Sequence, residues 1–156
     1  MSIEVTQISL EKFEQRQLDF SRSDFMQSAA FARTQLGMGS YVGLEAVEIT
    51  DGDRLIGQSI ITYRPHMKFF KKACIYQGPL MDYSDLTLVK AVISAIELYV
   101  KKKAQILEFH SSIENLIYND KLEDEEEKNK DLFDMICDLG FNRSIDRTGS
   151  GMTLIH

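Results

Sequence analysis

Proline, cysteine and histidine are all scarce in this chain, and no apolar run reaches the length of a membrane span. Two prolines and nine glycines in 156 residues leave little room for a disordered linker. The length is that of one domain, expected to span residues 1–156, and such a domain buries roughly 70% of its unfolded surface. It therefore needs no disulfide or metal to hold a core. Cys74 and Cys137 lack CxxC spacing and sit among apolar neighbours (Ala73 and Ile75, Met135 and Ile136), which reads as two reduced, buried, small hydrophobes. His66, His110 and His156 are too dispersed to suggest a metal site. No basic segment followed by an apolar stretch opens the chain, so a cytoplasmic location is expected. GxSxG elbows, P-loops, HExxH motifs and dinucleotide-type glycine turns are missing as well.

Positive charge is also in deficit. Eighteen Lys and Arg against 24 Asp and Glu give a net charge of −6, which argues against nucleic-acid binding over the whole surface. The distribution is uneven, however. Arg64, Lys68, Lys71 and Lys72 crowd one segment, and an acidic run covers Glu123 to Glu127. The basic group reads either as a solvated loop or as a contact for a phosphate-bearing ligand. The acidic run fits the start of a helix, where the dipole favours negative charge.

What is present is strong patterning. Ile3, Val5 and Ile8 predict a first strand, and Ser9 caps a helix over Leu10–Phe20 with Phe13, Leu18 and Phe20 as its apolar contacts. Ser28 caps a second helix, with Phe31 and Leu36 inward and Gly37 as its stop. Asp51-Gly52-Asp53 between Tyr41–Thr50 and Arg54–Arg64 is a hairpin signature, and Pro65 is expected to end the second strand. Ala73–Tyr76 predicts another strand, closed by Gln77-Gly78-Pro79. Val89, Val92, Ile93, Ile96 and Val100 then mark one stripe of a long helix over Leu86–Lys103, started by Ser84 or Asp85. A strand at Gln105–His110, a loop at Asn115–Lys121, a helix over Asp124–Leu139 stopped by Gly140, and a strand at Met152–Ile155 complete the order β-α-α-β-β-β-α-β-α-β. This predicts an α/β fold with a mixed sheet, and the succession is that of a GNAT-like acyltransferase domain.

Few residues advertise chemistry. His110, near a strand end, is a candidate general base, and Glu108, two residues earlier, points to the same face. Both also read as polar residues at a sheet edge. Thr34-Gln35-Leu36-Gly37-Met38-Gly39 has the glycine spacing of an acetyl-CoA pyrophosphate turn, but it begins with Thr and precedes the hairpin instead of following the central strand.

Three segments together resemble one family. Phe25-Met26-Gln27-Ser28-Ala29-Ala30-Phe31-Ala32 is similar to the F-x-Q-S-x-x-W-A opening of Fem-type proteins. Ile75-Tyr76-Gln77-Gly78-Pro79-Leu80-Met81-Asp82 is similar to their Y-x-x-G-P-v-x-D strand end. The long helix, the Ile106–His110 strand and Leu139-Gly140-Phe141 follow in the family's order, so that residues 25–141 are covered. The resemblance implies a peptidoglycan-bridge aminoacyltransferase with two tandem GNAT-like domains, of which this chain resembles the N-terminal one and so holds part of the active site. Its implied partners are aminoacyl-tRNA as co-substrate, a lipid-linked or nucleotide-linked peptidoglycan precursor, and a second GNAT-like domain or chain, with peripheral contact at the inner membrane face left open. No other cofactor is implied. Arg33 and Gln35 fall where relatives hold the precursor's phosphates, and Tyr76, Gln77, Gly78 and Pro79 fall in the turn that approaches the ligand. Gln77 replaces a cation often found there. A non-catalytic binding module and a stand-alone N-acetyltransferase remain the alternatives.

Overall fold

A computed structural model describes residues 2–21, 24–39, 41–110, 116–118, 124–127, 129–146 and 149–155. Its centre is an eight-stranded mixed sheet made of β1 (Ile3–Ile8), β2 (Gly43–Asp51), β3 (Arg54–His66), β4 (Phe70–Tyr76), β5 (Leu80–Met81), β6 (Ile106–His110), β9 (Phe141–Asp146) and β10 (Gly149–Ile155). The order across it is β1-β2-β3-β4-β6-β10-β9, with β5 paired to β3. β4 and β6 are parallel, with Lys72 to Tyr76 opposite Ile106 to His110; the other pairs are antiparallel. The parallel pair needs a crossover, and α3 (Leu86–Lys101) supplies it. A separate two-stranded sheet joins β7 (Leu116–Tyr118) to β8 (Asp124–Glu127).

The two faces of the large sheet differ. α3 lies on one, with α4 (Lys130–Asp138) beside it, and this face is a continuous apolar core. Val89, Val92, Ile93, Ile96 and Val100 meet Val47, Ile61, Ile75, Leu107 and Phe109 there. Each such side chain, fully buried, contributes about 1.5–3 kcal/mol. Asp85 caps α3 by accepting from Thr87 N and Leu88 N. At its other end Glu45 takes Lys103 Nζ at 2.8 Å and the Tyr63 and Tyr99 hydroxyls at 3.0 Å. On the opposite face α1 (Leu10–Gln17) and α2 (Ala29–Met38) form a smaller core around Phe13, Ala32, Ala46, Ile60 and Leu80. Lys12 and Arg16 tie α1 to Glu48 of β2 at 2.8 and 3.0 Å.

Several expectations need correction. The acidic run does not open a helix: 124–127 form β8, and α4 begins at Lys130. The pairing of β8 with β7 also replaces the expected loop around residues 116–118, while 119–123, like Arg22, Ser23 and His156, lie outside the described residues. β9 was not expected, so the order gains strands on either side of α4. Gly37 lies inside α2, and the left-handed residue that ends the helix is Gly39, at φ +67°. Leu36 and Leu18 are exposed, since α2 and α1 bury only the stripes that include Phe31 and Phe13. Pro65 sits within β3, beyond the last β2 pairing at Tyr63, where no neighbour needs its missing N–H. Cys137 is exposed on α4; Cys74 alone is buried.

Candidate functional site

Two segments far apart in sequence interlock where β4 leaves β3. β3 pairs with β4 as far as Thr62 and Cys74, and with β5 from Gln58 and Leu80. Ile60 pairs with Ala46 of β2 on one side, but on the other it lies between these pairings with no strand beside it. Left unpaired, its buried N–H and C=O would cost about 1–3 kcal/mol each. Gln27, from a single 3₁₀ turn at Phe25–Gln27, fills the gap with a side chain wholly out of solvent. Its Oε1 accepts from Ile60 N at 2.8 Å, and its Nε2 donates to Tyr76 O at 2.7 Å and to Ile60 O at 3.4 Å. A primary amide carries the donor and acceptor of a peptide group, so it continues the ladder across the gap.

The turn after Tyr76 is shaped around that amide. Gln77 has φ +53° and the Gly78–Pro79 peptide is cis. Gly78 N donates to His110 O at 3.3 Å, and the Tyr83 hydroxyl donates to Pro79 O at 2.7 Å. A Cβ on Gly78 would stand 2.5 Å from Gln27 Cδ. Glycine is required here because the buried amide occupies the space of any side chain.

Beside this turn the sheet face shared with α1 and α2 is polar. Alternation sends Thr62 and Arg64 of β3, Lys72, Cys74 and Tyr76 of β4, and Glu108 and His110 of β6 to the same side. The Arg64 guanidinium lies over the Tyr41 ring at 4.4 Å and the Tyr76 ring at 5.7 Å, and donates to the Tyr41 hydroxyl. Tyr76 stacks on His110, with ring centres 5.0 Å apart. Glu108 accepts from Lys72 Nζ at 2.8 Å and from Cys74 Sγ at 3.3 Å, and stands 3.7 Å from His110 Nε2. Arg64 Nε and His110 Nε2 are buried and lack a hydrogen-bond partner among the described residues.

The electrostatics suit recognition more than covalent chemistry. Burial, helped by the Glu108 charge, pushes the Cys74 thiol up to about 11, so it is no nucleophile near neutral pH. Burial, then the Cys74 sulfur, raises the Tyr76 phenol and keeps it a hydrogen-bonding group. Burial would also raise Glu108, but the bonds from Lys72 and Cys74 and the nearby positive charge outweigh it and hold the carboxyl below its ordinary range. Ionised and committed to Lys72, Glu108 is a weak base.

Of the residues expected to bind, Tyr76, Gln77, Gly78 and Pro79 form one turn at the end of this stripe. Arg33 and Gln35 lie apart on α2. The exposed Arg33 guanidinium holds Glu14 of α1 at 2.9 Å, and Gln35 is half-buried. Among the described residues no hydrogen bond or ion pair joins either to the turn; the link is Gln27, just before α2. Sequence reasoning missed Tyr41 and the grouping of Arg64 with Tyr76 and His110. Strand parity carries a signal for that grouping, once the strand neighbours are known. A groove of about 460 Å³ lined by Phe20, Arg54, Met81 and Leu88 holds none of these residues.

A model of the FemAB family matches residues 5–150. The chain belongs to the FemAB family. No curated protein matches it by sequence alone. Among solved structures, FemX superposes with a TM-score of 0.66 at 18% identity, over 90% of this chain and 32% of FemX. The chain thus spans about a third of FemX. An N-acetyltransferase from Staphylococcus aureus Mu50 gives 0.59 at 12% identity, covering 99% of this chain and 98% of that one. The ribosomal-protein-S18-alanine N-acetyltransferase from Escherichia coli gives 0.54 at 12%, covering 98% and 93%. At these identities the likeness is one of fold, and the fold is the GNAT acyltransferase fold. In this FemAB member, the Gln27 and Gly78-Pro79 segments that suggested the family from sequence are the two halves of one interlock.

Proposed function

We propose that this chain is the N-terminal GNAT-like domain of a peptidoglycan-bridge aminoacyltransferase and binds the acceptor, a lipid-linked or nucleotide-linked cell-wall precursor. The observation that carries the reading is the FemAB match over residues 5–150, together with the meeting of two Fem-type motifs at the Gln27–Gly78 contact. In the reaction, the amine of the stem-peptide lysine attacks the aminoacyl carbonyl carbon of aminoacyl-tRNA. A C–N bond forms, the C–O bond to the ribose breaks, and the ribose oxygen leaves with a proton. An activated ester needs chiefly proximity, orientation and stabilisation of the developing oxyanion. A site without a nucleophile suits that demand.

In this reading the Gln77-Gly78-Pro79 turn and Tyr76 lie against the acceptor, with Arg64 and His110 offering donors beside them. Arg33 and Gln35 take its phosphates. The Arg33–Glu14 pair is exposed, and such pairs are worth about 0–1 kcal/mol, so a phosphate can replace the carboxylate. A second GNAT-like domain or chain completes the cleft and receives the tRNA. An N-acetyltransferase reading is disfavoured by α3: in acetyl-CoA enzymes the helix after the central strand offers its N-terminal amides to pyrophosphate, whereas here the Asp85 carboxylate occupies two of them.

The test is calorimetric titration with a nucleotide-linked muramyl-pentapeptide, paired with a transfer assay from labelled seryl-, alanyl- or glycyl-tRNA. Precursor binding that weakens at least tenfold in Arg33→Ala, with transfer only when a second domain is supplied, is the expected result. Binding of acetyl-CoA in place of the precursor would overturn it.

A further inference from the structure

The β3–β4 hairpin carries a surface feature that acceptor binding does not use. β2 begins opposite Tyr63, and β6 begins opposite Lys72. Beyond those points the hairpin runs without strand neighbours to its last pair, His66 and Phe70. Three residues past Tyr63 at about 3.3 Å each put that pair roughly 10 Å beyond the edge of the sheet, with the turn still further out. The tip is apolar and bare: Met67 is 78% exposed, Phe69 81% and Phe70 47%. Large apolar side chains at a protruding turn are uncommon, because turns favour Gly, Asn, Asp and Pro. Met67 even holds φ +55°, a region where non-glycine residues other than Asn and Asp are seldom found. A bulky hydrophobe kept at a strained, solvent-facing position points to a role for the side chain itself.

The charge around the tip is of one sign. No acidic residue occurs between Arg54 and Met81, in a chain whose net charge is −6. Lys72 is taken by Glu108 and Arg64 by the tyrosines, which leaves exposed Lys68 and Lys71 flanking the apolar tip. Protruding aromatic and thioether side chains ringed by lysine fit a bilayer carrying negative headgroups: the tip enters the acyl boundary while the ammonium groups stay among the phosphates. A protein partner would call for a broader apolar surface than one turn offers.

We infer that the β3–β4 hairpin is a membrane-docking element, with Met67, Phe69 and Phe70 inserting into an anionic lipid surface and Lys68 and Lys71 pairing with its headgroups. The inference goes beyond the transfer reading and stands on the hairpin alone. Vesicle binding needs neither donor nor acceptor, so either reading can fail while the other holds.

The chain contains no tryptophan, so Phe69→Trp places a single fluorescent reporter at the tip and Leu98→Trp places one on the exposed side of α3. Both are titrated with vesicles of phosphatidylcholine alone and of phosphatidylcholine with one-third phosphatidylglycerol. A blue shift for Phe69→Trp confined to the anionic vesicles, with none for Leu98→Trp, is expected. Co-sedimentation of the wild-type chain should fall at least tenfold in Met67→Ser/Phe69→Ser and in Lys68→Glu/Lys71→Glu, with unchanged thermal unfolding of both variants showing that they fold. No shift at the tip, equal shifts at both reporters, or undiminished sedimentation of the folded variants would each overturn the assignment.

Discussion

The two faces of the sheet are built from the same strands and serve opposite ends. Toward α3 and α4, alternate residues are Val, Ile, Leu and Phe, sealed by the stripe Val89, Val92, Ile93, Ile96 and Val100. Toward α1 and α2, the next residues along include Arg64, Lys72, Cys74, Tyr76, Glu108 and His110, tied by hydrogen bonds and ring stacking. Period-two alternation allows one strand to supply a core to one layer and a polar surface to the other. Stability is therefore concentrated on one face and candidate chemistry on the other.

The largest break in that division comes from charging the sealed face. Val92→Asp buries an unpaired carboxylate against β-strands, at a cost of about 3–5 kcal/mol, a large share of the roughly 5–15 kcal/mol that holds a typical domain folded. Arg64→Ala, on the open face, should change urea stability by less than about 1 kcal/mol. If the two variants lose similar stability, the faces are not specialised.

The interlock is the next test. Gln27→Ala leaves Ile60 N and Tyr76 O without their partner, and should cost about 2–4 kcal/mol. Gly78→Ala should cost a comparable amount, because its Cβ meets the Gln27 amide. The sharper outcome is the double variant. With the amide already removed, Gly78→Ala should add less than about 1 kcal/mol, a coupling visible in a denaturation cycle. Strict additivity would mean that the two motifs do not act through each other.

These contacts also show how much was legible. The long helix, the Asp51-Gly52-Asp53 hairpin and the Ser28 cap follow from local chemistry, and the structure has them. The 124–127 stretch differs from the expected helix start because a charge run has no period of its own. Whether it becomes the first turn of a helix or a strand depends on β7, which lies across from it. Gln27 belongs to the Phe25–Ala32 motif, yet nothing local says that its amide replaces a strand.

A smaller effect separates the two thiols. Exposed Cys137 should react with a maleimide at neutral pH at least about tenfold faster than Cys74, whose thiol is buried and held near 11. Mass spectrometry of the native chain should find one fast site, and of the denatured chain two. The smallest effect is in acid. Because the fold lowers the Glu108 pKa, its contribution is complete above the unfolded value of about 4.3 and is lost as pH falls through the folded one. Wild type should lose less than about 1 kcal/mol relative to Glu108→Gln on going from pH 6 to pH 3, since Glu108 is partly exposed. A constant difference would show that Glu108 titrates alike in both states.

The sequence by itself determined the stripe of α3 that is buried, the hairpin at Asp51-Gly52-Asp53 and the caps at Ser9 and Ser28, because these depend on neighbours within a few positions. Its motifs also led to the family. Only the tertiary structure decided that Gln27 completes the ladder at Ile60, that Gly78 is small to admit it, and that Arg64, Tyr76, Glu108 and His110 share one surface. Those outcomes depend on which strands become neighbours, and β4 and β6, more than 25 residues apart, meet only once α3 has carried the chain back across the sheet.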